Sequence, residues 1–186
     1  MYKTFYADGN LVSNHDLQDK GFWCQTGASK EETFVDMYGD KLGLIINPYK
    51  KEDPYAPDLF NIQKNVLADL KTQNTPFFQA EKRFKYPPQY TVVFNVKDYT
   101  RYKKLYPNIE IYFAVDWQIV KFESTDTCIE VEPMIGVWKI DFPTLEKKLK
   151  NAPIHCYSQR KNDTKGNALK SYVLNMLNDR DFIRVV

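Results

Sequence analysis

Two carboxylates and one ammonium stand at a spacing that could do chemistry. Asp58 follows Pro57, and Asp69-Leu70-Lys71 comes after ten intervening residues. Each acid is carried by a short apolar run, Asp58 to Ile62 and Val66 to Leu70, as buried strands require. Asn61-Ile62-Gln63-Lys64-Asn65 between them has turn chemistry. The spacing predicts a hairpin whose two strands each deliver one carboxylate. Side chains at i and i+2 of a strand share a face, so Asp69, Lys71 and Gln73 point together and Leu70 points opposite. Unpaired buried charge costs several kcal/mol, of the order set by desolvation. A hard divalent cation would offset that cost, taking one or two carboxylates and completing its shell with water and phosphate oxygens. Metal-bound water with an ammonium beside it is equipment for hydrolysing a phosphodiester.

A Pro-Asp, a spacer, then an acid, any residue and Lys resembles the pattern of the PD-(D/E)XK nuclease superfamily, here over roughly residues 29–117. The resemblance implies a restriction-endonuclease-like α/β fold, a mixed central β-sheet flanked by helices. It implies that Asp58 and Asp69 bind one or two Mg²⁺ ions, with Mn²⁺ able to substitute, aided by the backbone carbonyl of Leu70. Lys71 would orient or help deprotonate the attacking water. A helix before the first strand often supplies a further acid in that family. Glu31 is the preferred candidate because it shares a face with Phe34 and Val35, with Glu32 second. Gln73 could position the water or bond a phosphate. The expected activity is Mg²⁺-dependent hydrolysis of DNA by an endonuclease acting as a homodimer. The alternative is a nucleic-acid-binding or protein-interaction module on the same fold that lacks catalysis.

The elements that must position these groups follow from periodicity and punctuation. Ser29 with Glu32 is a capping-box signature, so a helix is expected from Ser29, with Phe34, Val35, Tyr38 and Leu42 inward. Strands are expected at 2–6, 21–24, 43–46, 91–96 and 109–117, one or two more at 128–140, and a closing strand at 182–186. Helices are expected at 97–106, 141–149 and 168–177. The loop at 47–56 carries Lys50 and Lys51. Residues 77–90 interleave Lys82, Arg83 and Lys85 with aromatic rings, which suits a nucleic-acid groove or, equally, an exposed aromatic-rich hairpin whose charges merely solvate it. A polar stretch at 158–167 holds Arg160, Lys161 and Lys165. All eight cations are candidate phosphate contacts, the aromatics candidate stacking partners.

The chain of 186 residues is long enough for one domain with a sizeable core. The expected organisation is a single nuclease-like domain over 1–186, with 29–117 as catalytic core and 1–28 and 118–186 as additions. Twenty-six basic and 24 acidic side chains nearly cancel, so net charge neither demands nor excludes nucleic acid. Three widely spaced cysteines without a CxxC argue against a disulfide framework and fit a reducing cytoplasm. No apolar run approaches the length of a membrane span, so no membrane partner is expected.

Overall fold

The computed structural model describes residues 2–12, 20–157 and 170–186, with side chains described from Lys30 onward in the second stretch. Strand β1 (Tyr2–Tyr6) is followed by helix α1 (Lys20–Leu42), β2 (Leu44–Ile46), a 3₁₀ turn (Pro48–Lys51), β3 (Leu59–Asn61) and β4 (Val66–Gln73). Next come α2 (Ala80–Phe84), a second 3₁₀ turn (Pro88–Tyr90), β5 (Thr91–Asn95), α3 (Val96–Leu105) and β6 (Glu110–Asp116). The remainder is β7 (Ile119–Ser124), β8 (Thr127–Glu130), β9 (Ile135–Asp141), α4 (Phe142–Leu149), β10 (Ile154–Cys156), β11 (Lys170–Asn175) and β12 (Ile183–Arg184). The architecture is mixed α/β.

A six-stranded sheet in the order β12-β9-β6-β4-β3-β2 forms the centre. Its β4–β6 pair is parallel and its other pairs are antiparallel. A parallel pair needs a crossover, and the chain between β4 and β6 supplies one that includes α3. The β3–β4 hairpin is as expected. The Asn61 carboxamide accepts the amides of Gln63 and Lys64 at 3.1 and 3.0 Å, and Asn65 takes the left-handed conformation at φ 56°.

Alternation along β4 divides the core. Ala68 and Leu70 face α1 and pack with Phe34, Leu44, Leu59, Tyr112 and Val137. On the opposite face Ile111, Phe113 and Val115 of β6 pack with Phe94 of β5, Tyr102 of α3 and Phe142 of α4. The sheet β10-β11-β5 extends that second layer, and β1-β7-β8 forms a further antiparallel sheet. Helix α1 stops at Gly43, whose φ of 67° is cheap only without a Cβ. Among the described residues, no helix is long and apolar enough to cross a membrane.

Four expectations are corrected. Residues 21–24 lie inside α1 rather than in a strand, because a four-residue aromatic run has no periodicity with which to separate the two states. For the same reason α1 begins at Lys20, and Ser29 is interior to it rather than its cap. Residues 170–175 form β11, not a helix. Their apolar spacing suits both states, and five consecutive pairs with β5 decide for the strand. Residues 77–90 form α2 and a 3₁₀ turn in place of a hairpin. Strands β7 and β10 have no counterpart in the sequence reading.

Candidate active site

The hairpin delivers its two acids as its register dictates. Leu59 pairs with Ala68, so one further step places Asp58 opposite Asp69, and like charges directly opposed are unfavourable. The backbone ladder stops there because the Pro57 carbonyl accepts the Asn47 side-chain amide at 2.8 Å. Asp58 Oδ2 replaces it and accepts the Leu70 amide at 3.2 Å. A strand residue directs its N–H and C=O to the same neighbour, so the Leu70 carbonyl looks toward Asp58 as well.

Asn47 fixes this corner. It is buried, its own amide donates to the Asp58 carbonyl at 3.0 Å, and its side-chain oxygen accepts the Tyr49 amide at 3.2 Å. The sequence reading missed Asn47, although an Asn-Pro pair opening a loop is the signal that could have found it. The turn it initiates carries Lys50. The Lys50 ammonium makes a very close ion pair with Asp58 Oδ1, lies 3.8 Å from Glu31 Oε1, and donates to the Ala56 carbonyl at 3.3 Å. The sequence places Lys50 near the acidic pair as a candidate phosphate contact; it does lie among the acids, with its charge spent on them.

Glu31 reaches the cluster from α1, whereas Glu32 is exposed. Burial, then the neighbouring Asp58 carboxylate, pushes the Glu31 carboxyl up to about 7, even with Lys50 opposing the shift. Asp69 is fully buried, and burial raises its carboxyl too, with Lys71 opposing and Asp58 adding. Its Oδ2 lies 2.6 Å from Lys71 Nζ, but at an angle outside hydrogen-bonding geometry. That leaves a buried carboxylate oxygen with a charged neighbour and no aligned donor.

Lys71 shares the face of Asp69, as alternation requires, and turns toward α3. Its ammonium is 2.6 Å from Asp69 and 2.6 Å from Asp98, and it sits 5.9 and 5.7 Å from the ring centroids of Phe94 and Tyr102. Burial disfavours the Lys71 charge, but Asp69, Tyr102 and Asp98 outweigh it and hold the pKa well above the ordinary lysine value. Arg101 extends the network, 3.0 Å from Asp98 and donating to the Tyr102 hydroxyl at 2.8 Å. Asp98, Arg101 and Tyr102 were also missed. Their tyrosine stripe reads as core, and Asp98 as an acid favoured in a helix's first turn.

Gln73 follows the same face, but its amide is committed. It bonds the backbone of Val93 in both directions at 3.3 Å and ties β4 to β5. Thus it is drawn away from the acids. Lys51, Lys82, Arg83 and Lys85 are exposed, the last three at α2, which contributes nothing to the acid cluster. Arg160, Lys161 and Lys165 lie outside the described residues.

The donor set of Glu31, Asp58, Asp69 and the Leu70 carbonyl is all oxygen, which fits a hard cation. The unaligned Asp69 oxygen and the opposed carboxylates fit it as well. Among the described residues no three His, Cys, Asp or Glu side chains already stand in metal-binding geometry; the Lys50 ammonium holds the space between Glu31 and Asp58. Each of the two hairpin acids is paired with an ammonium, Asp58 with Lys50 and Asp69 with Lys71. Comparison of the chain with protein-family models, curated proteins and solved structures gave no match.

Proposed function

We propose that this chain is a divalent-metal-dependent nuclease, an endonuclease hydrolysing DNA phosphodiester bonds. The observation that carries the reading is the convergence of Glu31, Asp58 and Asp69, from three separate elements, on one corner where acids outnumber the cations that reach them. Perturbed pKa values cluster at functional sites, where burial and like-charge neighbours shift them. The topology supports the finer fold reading, restriction-endonuclease-like: α1 leads into the β2–β3–β4 meander, and β4 pairs parallel with β6 beyond α3.

Asp58, Asp69, the Leu70 carbonyl and Glu31 would hold Mg²⁺ or Mn²⁺. A bound ion supplies charge neutralisation at phosphate and acidifies a water. The chain's own residues do the rest. Asp58 is aimed by the Leu70 amide, and the Asn47 turn prevents it from rotating away. Asp69 is held in place by its ion pair with Lys71.

One observation favours a second reading. Lys71 is saturated by two carboxylates and covered by two rings, which suits a catalytically inactive nucleic-acid-binding or interaction module on the same fold. Nicking of supercoiled plasmid with Mg²⁺, Mn²⁺ or EDTA separates the two, using the wild type and Asp69→Asn. Metal-dependent nicking that Asp69→Asn abolishes supports the nuclease. Absence of nicking together with absence of a metal-dependent thermal shift would sink it and leave the inactive module.

A further inference from the structure

We propose that Lys50, rather than Lys71, is the ammonium that contacts the scissile phosphate, and that Lys71 is a positioning residue for Asp69. This rests on the metal-dependent reading above. The two lysines differ in what their partners would do when a cation arrives. An ammonium has three donors. Lys71 spends its charge on Asp69 and Asp98 beneath Phe94 and Tyr102, and Asp98 has no part in the acid cluster. A divalent ion taking Asp69 would leave Lys71 on Asp98.

Lys50 is held by the opposite kind of partner. Its ionic contacts are Asp58 and Glu31, two of the oxygen donors a cation would take over, and one backbone carbonyl, that of Ala56. Cation binding therefore releases this ammonium by charge repulsion and competition for the same oxygens. The release leaves the Lys50 backbone in place. Lys50 sits in a turn pinned by Asn47, which bonds Tyr49, Pro57 and Asp58. The nearest new anion is the phosphate that the cation brings. The side chain of Lys50 is 23% exposed against 17% for Lys71, and the latter opens onto α3. The Lys50 ammonium donates hydrogen bonds to a non-bridging phosphate oxygen.

The test uses the full chain, Mn²⁺ binding followed by electron paramagnetic resonance of the free ion, and plasmid nicking at saturating Mn²⁺. Lys50→Gln should bind Mn²⁺ as tightly as the wild type or several-fold more tightly, because the competing ammonium is gone. Its nicking rate should fall at least 100-fold, with Lys50→Arg recovering part of it. Lys71→Gln should lose Mn²⁺ affinity and nicking together, as expected where Asp69 loses its support. Wild-type nicking by Lys50→Gln overturns the assignment while leaving the nuclease standing. Loss of Mn²⁺ binding in Lys50→Gln overturns it too, making Lys50 a structural tie. A wild type that neither binds Mn²⁺ nor nicks overturns the nuclease reading and this assignment together.

Discussion

Glu110 and Asp69 lie one register step apart and point to opposite faces of the central sheet, and the charge clusters around them are built in opposite ways. Glu110, at the start of β6, accepts from Lys64 at 2.7 Å, Lys139 at 3.3 Å and the Tyr112 hydroxyl at 2.8 Å. One acid thus meets two ammoniums. Burial alone would raise the Glu110 carboxyl, but hydrogen bonds from Lys64 and Tyr112 outweigh it and hold it below the usual range. Around Asp69, three acids, Glu31, Asp58 and Asp69, meet two ammoniums, Lys50 and Lys71, and the carboxyls of Glu31 and Asp69 are raised. The first cluster settles a buried charge. The second leaves acid in surplus, which is what a cation site requires before its cation arrives.

The sharpest way to break this comparison is Lys71→Met. Removing one partner of a buried pair leaves the other unpaired, costing about 3–5 kcal/mol; urea unfolding should show the loss. A loss under about 1 kcal/mol would mean that Asp69 takes up a proton without strain. Next is Glu110→Gln. It discards charge-assisted hydrogen bonds and should cost about 1.5–3 kcal/mol, read as a fall in Tm at pH 7. Divalent metal should not rescue it.

Glu31→Gln should do the reverse and stabilise by about 1 kcal/mol at pH 8 once solvent screening is allowed for, a rise of about 2–4 °C in Tm. The sign follows from linkage. The Glu31 carboxyl is raised to about 7 from an ordinary 4.5, so between those values the folded chain binds more protons than the unfolded one. Its contribution favours folding at low pH and is lost as pH rises through that window. The Glu31→Gln advantage should therefore be present at pH 8 and vanish by pH 4.5. Glu110 slopes the other way, its contribution being present above the unfolded value and lost as pH falls through the folded one. Parallel melting curves against pH for Glu31→Gln and Glu110→Gln would dissolve the distinction. The smallest effect is expected of Lys64→Ala. Lys64 is half exposed and Lys139 remains, so a change of a few tenths of a kcal/mol is expected.

Much of the frame was legible in the chain. The apolar runs around Asp58 and Asp69, with turn residues between, specified the hairpin, because period-2 alternation and turn chemistry are local properties. The 97–106 helix and the strong 109–117 strand were legible for the same reason, and Asp141 caps α4 through the Thr144 amide at 2.9 Å. The strand at 170–175 was not legible. Its apolar spacing suits either period, and only β5 lying beside it decided the matter.

The candidate site divides along the same line. Asp58, Asp69 and Lys71 could be picked from spacing, and alternation correctly gave the shared face of Asp69, Lys71 and Gln73. What each side chain does with its charge could not be read locally. Asp98 lies 27 residues from Lys71 and Lys50 lies 19 residues from Glu31, so their pairings depend on how α3 and the 47–57 turn pack. The hairpin, its two carboxylates and the face they share follow from the chain alone, because backbone geometry within a dozen residues specifies them. Packing encloses Lys71 between Asp69 and Asp98 and commits the Lys50 charge to Asp58 and Glu31, because ion pairing follows proximity and burial, which long-range contacts set.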